Sequence, residues 1–417
     1  MELKRVVVTG LGALTPIGLS VESYWDALLK GVSGAGPITR FDAAKFKTRF
    51  ACELKNFDIL NYIPKKEAQR MDPCAHYAIV STIEALQDAG LDLDSVDKNR
   101  VGVIMGTGVG GFTSMMETAN VFVENGRVPR FSPYLLLKVL EDMVTGYISL
   151  RYGFRGPNYV TSAACASAAN AIGDAYRLLQ LGKADVIITG GTEAAVVEGA
   201  VGGFDSMRAL STRNDDPLHA SRPFDTQRDG FVIGEGSATL VLETLEHALA
   251  RGAKIYGELC GIGMSADAHN ATAPDPTGLG AVLSMKLAME DAGVIPDEVD
   301  YINMHGTSTQ LGDLSECTAI QQVFGEHVPN MVLNSTKSMT GHLLGAGPAV
   351  ESVAILMSMR DGIVHPTINL DELDPRIDQS WNFAANKPVQ KNVNVAISNS
   401  FGFGGHNVTL LYKKFVK

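Results

Sequence analysis

Two stretches roughly 200 residues apart carry the same run of residues in the same order, and this repetition narrows the folds open to the chain. Asp88-Ala89-Gly90-Leu91 leads to Val96-Asp97 and then to Gly106-Thr107. Asp291-Ala292-Gly293-Val294 leads to Val299-Asp300 and then to Gly306-Thr307. A weaker correspondence sets a strand, the turn at Cys165 and a helix against a strand, the turn from Lys337 to His342 and a helix. Two matches in one order point to a duplicated unit with its seam near Arg251-Gly252-Ala253-Lys254, which divides the chain into residues 1–252 and 253–417. Short β-branched runs predict strands over 5–8, 101–105, 185–189, 238–242, 301–304, 332–335 and 393–398. Helical spacing predicts helices over 75–89, 168–181, 281–292 and 350–359. Alternation of the two predicts a buried α/β architecture.

Composition removes several classes of function. With 417 residues, 45% hydrophobic and 19% charged, the chain has material for a large core. A formal charge of −11 argues against a nucleic-acid or anionic-membrane binder, so an acidic partner needs a local basic patch. Cys52, Cys74, Cys165, Cys260 and Cys317 are odd in number, widely spaced and form no CxxC pair. That pattern suits a reducing cytoplasm and disfavours a disulfide framework or structural zinc. The opening residues read as a first strand, and no run reaches membrane-spanning length. Gly10-Leu11-Gly12-Ala13-Leu14-Thr15 lacks the third glycine of a dinucleotide fingerprint, and Gly106-Thr107-Gly108-Val109-Gly110-Gly111 lacks a phosphate-binding lysine. No histidines pair at HxxxH spacing, so neither a cofactor nor a catalytic metal is expected.

The chemistry gathers at three motifs. Thr161-Ser162-Ala163-Ala164-Cys165-Ala166-Ser167 sets a cysteine among tiny residues between a predicted strand and a predicted helix. A helix N-terminus lowers thiol pKa and favours thiolate, yet alone the residue reads equally as a buried structural cysteine. Asn303-Met304-His305-Gly306-Thr307-Ser308-Thr309 and Asn334-Ser335-Thr336-Lys337-Ser338-Met339-Thr340-Gly341-His342 each put a histidine beside glycine after a short buried strand. Two such histidines read as parts of one site. Neutral imidazoles there can supply two N–H donors.

Together with Phe401-Gly402-Phe403-Gly404-Gly405-His406-Asn407, Ser221-Arg222-Pro223-Phe224-Asp225 and Arg228-Asp229-Gly230-Phe231-Val232, these motifs resemble the β-ketoacyl-acyl-carrier-protein synthases over essentially the whole chain, in particular the elongating KAS I/II group. The resemblance implies a thiolase-like fold, with duplicated α/β halves layered α-β-α-β-α and the site between them. It implies Cys165 as the acyl-carrying nucleophile and His305 and His342 as malonyl-binding and decarboxylation residues. Lys337, held by Glu351, supports the histidines on this view, and a purely structural ion pair is an equal alternative. The backbone N–H groups of Cys165 and Phe401 are the implied oxyanion hole, with Phe401 also the acyl gate. Thr307, Thr309, Val109 and Phe403 are implied substrate contacts, although turn capping serves as well for one of the threonines.

The implied partners are acyl carrier protein, met by basic residues among Lys65, Lys66, Arg70, Arg127, Arg130 and Arg208, and a second copy in a homodimer. In that dimer the apolar Phe131–Leu137 stretch brings Tyr134 to the partner's acyl tunnel, and the strand at residues 184–189 pairs across the twofold axis. Taken alone, the same stretch also reads as the start of a core helix. The chain departs from the family pattern at His406, Pro348, Asn270 and Val109. These departures bear on chain length and pathway, with a specialised polyketide or polyene ketosynthase as the alternative.

Overall fold

The computed structural model describes residues 3–416; Met1, Glu2 and Lys417, at the ends of the two predicted halves, lie outside them. The first half supplies strands β1 (Val6–Leu14), β2 (Val101–Gly106), β3 (Asn158–Thr161), β4 (Val186–Glu193) and β5 (Gly236–Thr244). The second supplies β6 (Gly257–Ala266), β7 (Tyr301–Asn303), β8 (Val332–Asn334), β9 (Val395–Gly402) and β10 (His406–Lys413). They form one mixed sheet in the order β8-β7-β9-β10-β6-β1-β5-β4-β2-β3. Outward from the centre, each half therefore runs first, fifth, fourth, second, third. The senses repeat too: β1–β5 and β5–β4 are antiparallel while β4–β2 and β2–β3 are parallel, as are their counterparts in the second half. The halves join where Val6–Val8 pairs with Gly257–Leu259.

Helix α1 (Pro73–Ala89) covers β1 and helix α3 (Leu279–Ala292) covers β6, each at very close range. Helix α2, Ser167–Gln180, and helix α5, Gly347–Asp361, pack on each other and on strands of both halves, forming the inner layer. The order is α-β-α-β-α, the thiolase-like arrangement. Glycine dictates the outer packing. A Cβ on Gly12 would stand 1.9 Å from the Ser81 carbonyl oxygen, and one on Gly263 would stand 1.8 Å from that of Ser284. The repeated aspartates have the same cause: Asp88 Oδ2 accepts from Leu11 N–H at 2.9 Å, and Asp291 Oδ2 from Ile262 N–H at 3.0 Å. Gly90 and Gly293 end the two helices at left-handed φ of 57° and 59°.

Every predicted strand and helix is present, most of them longer than expected. β6, β10 and helix α4, Gln310–Phe324, were not foreseen. β6 has Ile262 as its single β-branched residue and carries three glycines, so it lacks the usual signal for a strand. The strand expected at a twofold axis, residues 184–189, is β4 and lies inside the sheet between β5 and β2, where its ladder is already used; the free edges are β3 and β8. Nor does the Phe131–Leu137 stretch start a core helix: it enters a five-residue helix, Leu135–Val139, in which Leu136 is 71% exposed. Among the described residues no helix is long and apolar enough to cross a membrane.

Candidate active site

Cys165 sits in the turn between β3 and α2, two residues before the helix begins. Ser167 holds this turn: its Oγ accepts from Ala163 N–H at 2.9 Å and donates to the Ala164 carbonyl at 2.7 Å. Ala164 adopts a φ of 49°, a left-handed conformation costly for a side chain with Cβ. Gly106 is required below the turn, since a Cβ there would meet Ser167 backbone at 2.3 Å. The thiol is buried, and burial pushes it up to about 12 against the Lys337 charge and the N–H groups of Phe403 and Cys165. Loss of solvation thus opposes the lowering expected at a helix end.

The two histidines arrive from the second half. His305 follows β7, with its own N–H and that of Gly306 donating to the two oxygens of Glu316 on α4, each at 2.9 Å. His342 is pinned through its N–H to the Val232 carbonyl at 2.7 Å. Its Nε2 lies 3.0 Å from Cys165 Sγ, and its ring meets that of His305 edge to face at 5.3 Å between centroids. Burial and the Lys337 charge hold both imidazoles well below their ordinary pKa, so both are neutral. Ser308 and Leu344, near the two histidines, share the left-handed strain of Ala164. Such strain clusters at functional sites.

Lys337 Nζ pairs with Glu351 of α5, both fully buried. Burial raises the Glu351 carboxyl while the lysine opposes it. Phe401 packs against His305, 5.8 Å between ring centroids. Phe401 is a ladder residue of β9 opposite Asn407, and the backbone N–H of Phe403, in the turn beyond, is among the groups that lower the Cys165 thiol. Thr307 and Thr309 join through their hydroxyls at 3.0 Å. Thr309 is the N-cap residue of α4, yet its side chain makes no capping bond.

A cavity of about 710 Å³ collects Cys165, His305, His342, Phe401, Phe403 and both threonines. Val109 stands outside it, in an apolar cluster with Cys165, Phe112 and Met116. Cys165 thus belongs both to the lining of the cleft and to the apolar cluster that contains Val109. Arg208 and Asn270 line the cleft. Pro348 falls in the first turn of α5, where it needs no N–H partner.

The carboxylates that hold these loops escape a reading by motif. Glu316 stands in the sequence only as a motif neighbour, and Glu193, at the end of β4, belongs to no motif at all. Burial pushes each up to about 7 against several backbone donors.

The fold and the site have known counterparts. The model described as "Beta-ketoacyl synthase, N-terminal domain" matches residues 3–248, and that described as "Beta-ketoacyl synthase, C-terminal domain" matches residues 256–371. The chain is 49% identical to the 3-oxoacyl-[acyl-carrier-protein] synthase 2 of Synechocystis sp., covering 100% of this chain and 99% of that one. It is 47% identical to the protein of the same name from Staphylococcus aureus, covering 99% of each. Among solved structures, a type II polyketide ketosynthase complexed with its acyl-carrier protein superposes with a TM-score of 0.92 at 31% identity, covering 100% of both chains. A β-ketoacyl synthase from Burkholderia phymatum superposes with the same TM-score at 34% identity, covering 99% of this chain and 100% of that one. These matches define a condensing enzyme that transfers acyl groups. The chain belongs to the β-ketoacyl synthase family.

Proposed function

We propose that this enzyme joins a Cys165-bound acyl chain to malonyl-acyl-carrier-protein with loss of carbon dioxide, giving 3-oxoacyl-acyl-carrier-protein in fatty acid elongation. The observation that carries the reading is Cys165 Sγ within 3.0 Å of His342 Nε2, with His305 beside it on the same cavity. In the first step Cys165 sulfur attacks the acyl thioester; the carrier's C–S bond breaks, and the thiol proton leaves with the carrier sulfur. In the second the malonyl carboxyl departs as carbon dioxide, and its bonding electrons become an enolate facing the Nε2–H groups of His305 and His342. The enolate carbon then attacks the Cys165 thioester. The transient oxyanion meets the N–H groups of Cys165 and Phe403, and cysteine leaves as thiolate, regaining a proton from solvent.

In this scheme burial, together with the charge of Lys337 fixed by Glu351, keeps both imidazoles neutral and so able to donate without repelling each other. Thr307 and Thr309 contact the carrier's pantetheine arm, Val109 borders the acyl chain, and Phe401 and Phe403 frame its entrance. Residues 1–252 and 253–417 act as the two halves, in the cytoplasm. Exposed Lys65, Lys66 and Arg70 supply a basic face for acyl carrier protein, with Arg70 stacked 5.0 Å from the Tyr134 ring centroid. Leu136 and Leu150, 71% and 77% exposed, support burial by a second copy, with the free edge β3 against the helix Met143–Tyr152 that carries Leu150.

The polyketide alternative draws on solved neighbours at 31% and 32% identity, against 47–49% for the fatty-acid relatives. Condensation assays with saturated, and separately with unsaturated, acyl carriers decide between them. Turnover of saturated chains supports elongation of fatty acids; turnover confined to polyunsaturated or polyketide chains overturns it.

A further inference from the structure

Glu193 carries no role in the scheme above, yet it is fully buried and makes four hydrogen bonds to two loops from different halves. Its Oε1 accepts from Thr107 Oγ–H at 3.0 Å and from Val109 N–H at 3.2 Å. Its Oε2 accepts from Gly108 N–H at 2.8 Å and from Gly345 N–H at 2.9 Å. Gly345 lies three residues beyond His342. The loops approach so closely that a Cβ on Gly345 would stand 2.3 Å from Gly108 N and 2.7 Å from Glu193 Oε2. One carboxylate is therefore the joint between the loop bearing Val109, on the apolar side of Cys165, and the loop following His342, on the cleft side.

We propose that Glu193 is a positioning residue for acyl-chain selection, setting the depth at which Val109 meets the Cys165-bound chain. This rests on the condensing reaction proposed above. Donor geometry tells the two oxygens apart. At Oε2 both donors are backbone N–H groups, which cannot turn round. At Oε1 one donor is the Thr107 hydroxyl, which already accepts from Gly110 N–H at 3.0 Å and can rotate to accept a second bond on its other lone pair. A glutamine at 193 consequently keeps its carbonyl toward the glycines and turns its amide NH₂ toward Thr107, leaving the Val109 N–H facing another donor. The His342 side keeps its bonds and the Val109 side loses one.

The test is Glu193→Gln in the full-length protein, with Cys165 acylation rates measured from short and long acyl carriers and malonyl decarboxylation followed in parallel. The ratio of long-chain to short-chain acylation should shift roughly tenfold, the loss expected when a buried donor faces no acceptor, while decarboxylation stays within about threefold of wild type. Thr107→Val, which removes the hydroxyl donor to Glu193 and with it the acceptor of Gly110 N–H but leaves the carboxylate, should shift the ratio in the same direction; it serves also if the glutamine variant does not fold. An unchanged ratio, or an equal fall in both activities, overturns the proposal. A wild-type protein that condenses normally beside such a result leaves the condensing reaction standing, whereas a wild type that neither acylates nor condenses removes both.

Discussion

His342 Nε2 lies 3.0 Å from Cys165 Sγ although 177 residues separate them in the chain. The two meet because each ends a strand-and-turn in its own half of a duplicated sheet, just before one of the two inner helices. With the thiol pushed up to about 12 and the imidazole held neutral, the resting pair is uncharged. In the Nε2–H tautomer the ring donates to sulfur. Once sulfur carries an acyl group, the same N–H is available to an enolate oxygen.

The first consequence concerns pH. A thiol with its pKa near 12 is protonated throughout the neutral range, and the thiolate fraction grows about tenfold with each pH unit below that value. Alkylation of Cys165 by a small reagent should therefore keep rising from pH 7 to pH 10 without levelling. A plateau with a midpoint below about pH 8 contradicts the burial argument and restores the helix-lowered thiol. The check is the alkylation rate against pH, read at Cys165 by peptide mass spectrometry.

A second prediction separates the histidines from acyl loading. Sulfur attack needs no proton donor from His305, whereas an enolate requires both N–H groups. His305→Ala and His342→Ala should retain part of the Cys165 acylation while malonyl decarboxylation falls roughly hundredfold. Single-turnover measurement of each step checks this. Equal losses in both steps go against the division of labour.

The glycines of the outer packing give a stability test. Gly12→Ala and Gly263→Ala each place a Cβ within 2 Å of a helix carbonyl, so the helix must move; each should cost about 3 kcal/mol or more. Gly203, in the helix Glu198–Ser206, has nothing within 4 Å of the place a Cβ would take, and Gly203→Ala should stabilise by about 0.5–1 kcal/mol. Chemical denaturation of the three variants reads the contrast. Similar losses at Gly12 and Gly203 contradict the close-packing explanation.

The duplication was legible because Asp88 and Asp291, with the glycines that follow their helices, do the same work twice: the aspartates bind a strand N–H, and Gly90 and Gly293 end the helices. Cys165, His305 and His342 were legible as strand-end motifs of small residues. β6 was not, since close approach of α3 replaces the branched residues of an ordinary strand with Gly261 and Gly263. How strongly burial acts on the thiol was not legible, because burial is a property of the assembled halves, absent from a turn considered alone. Glu193 escaped for the same reason: its four donors come from residues 107–109 and 345, and no local spacing joins them.

The central claim is that one cysteine of five carries the acyl chain. It is tested most directly by intact-protein mass spectrometry after incubation with acyl carriers of graded length, followed by peptide mapping. Wild type should gain one acyl group per chain, mapped to Cys165, with Cys52, Cys74, Cys260 and Cys317 unmodified. Cys165→Ala should gain none. An acyl group that still appears on Cys165→Ala, or that maps to another cysteine in wild type, contradicts the account.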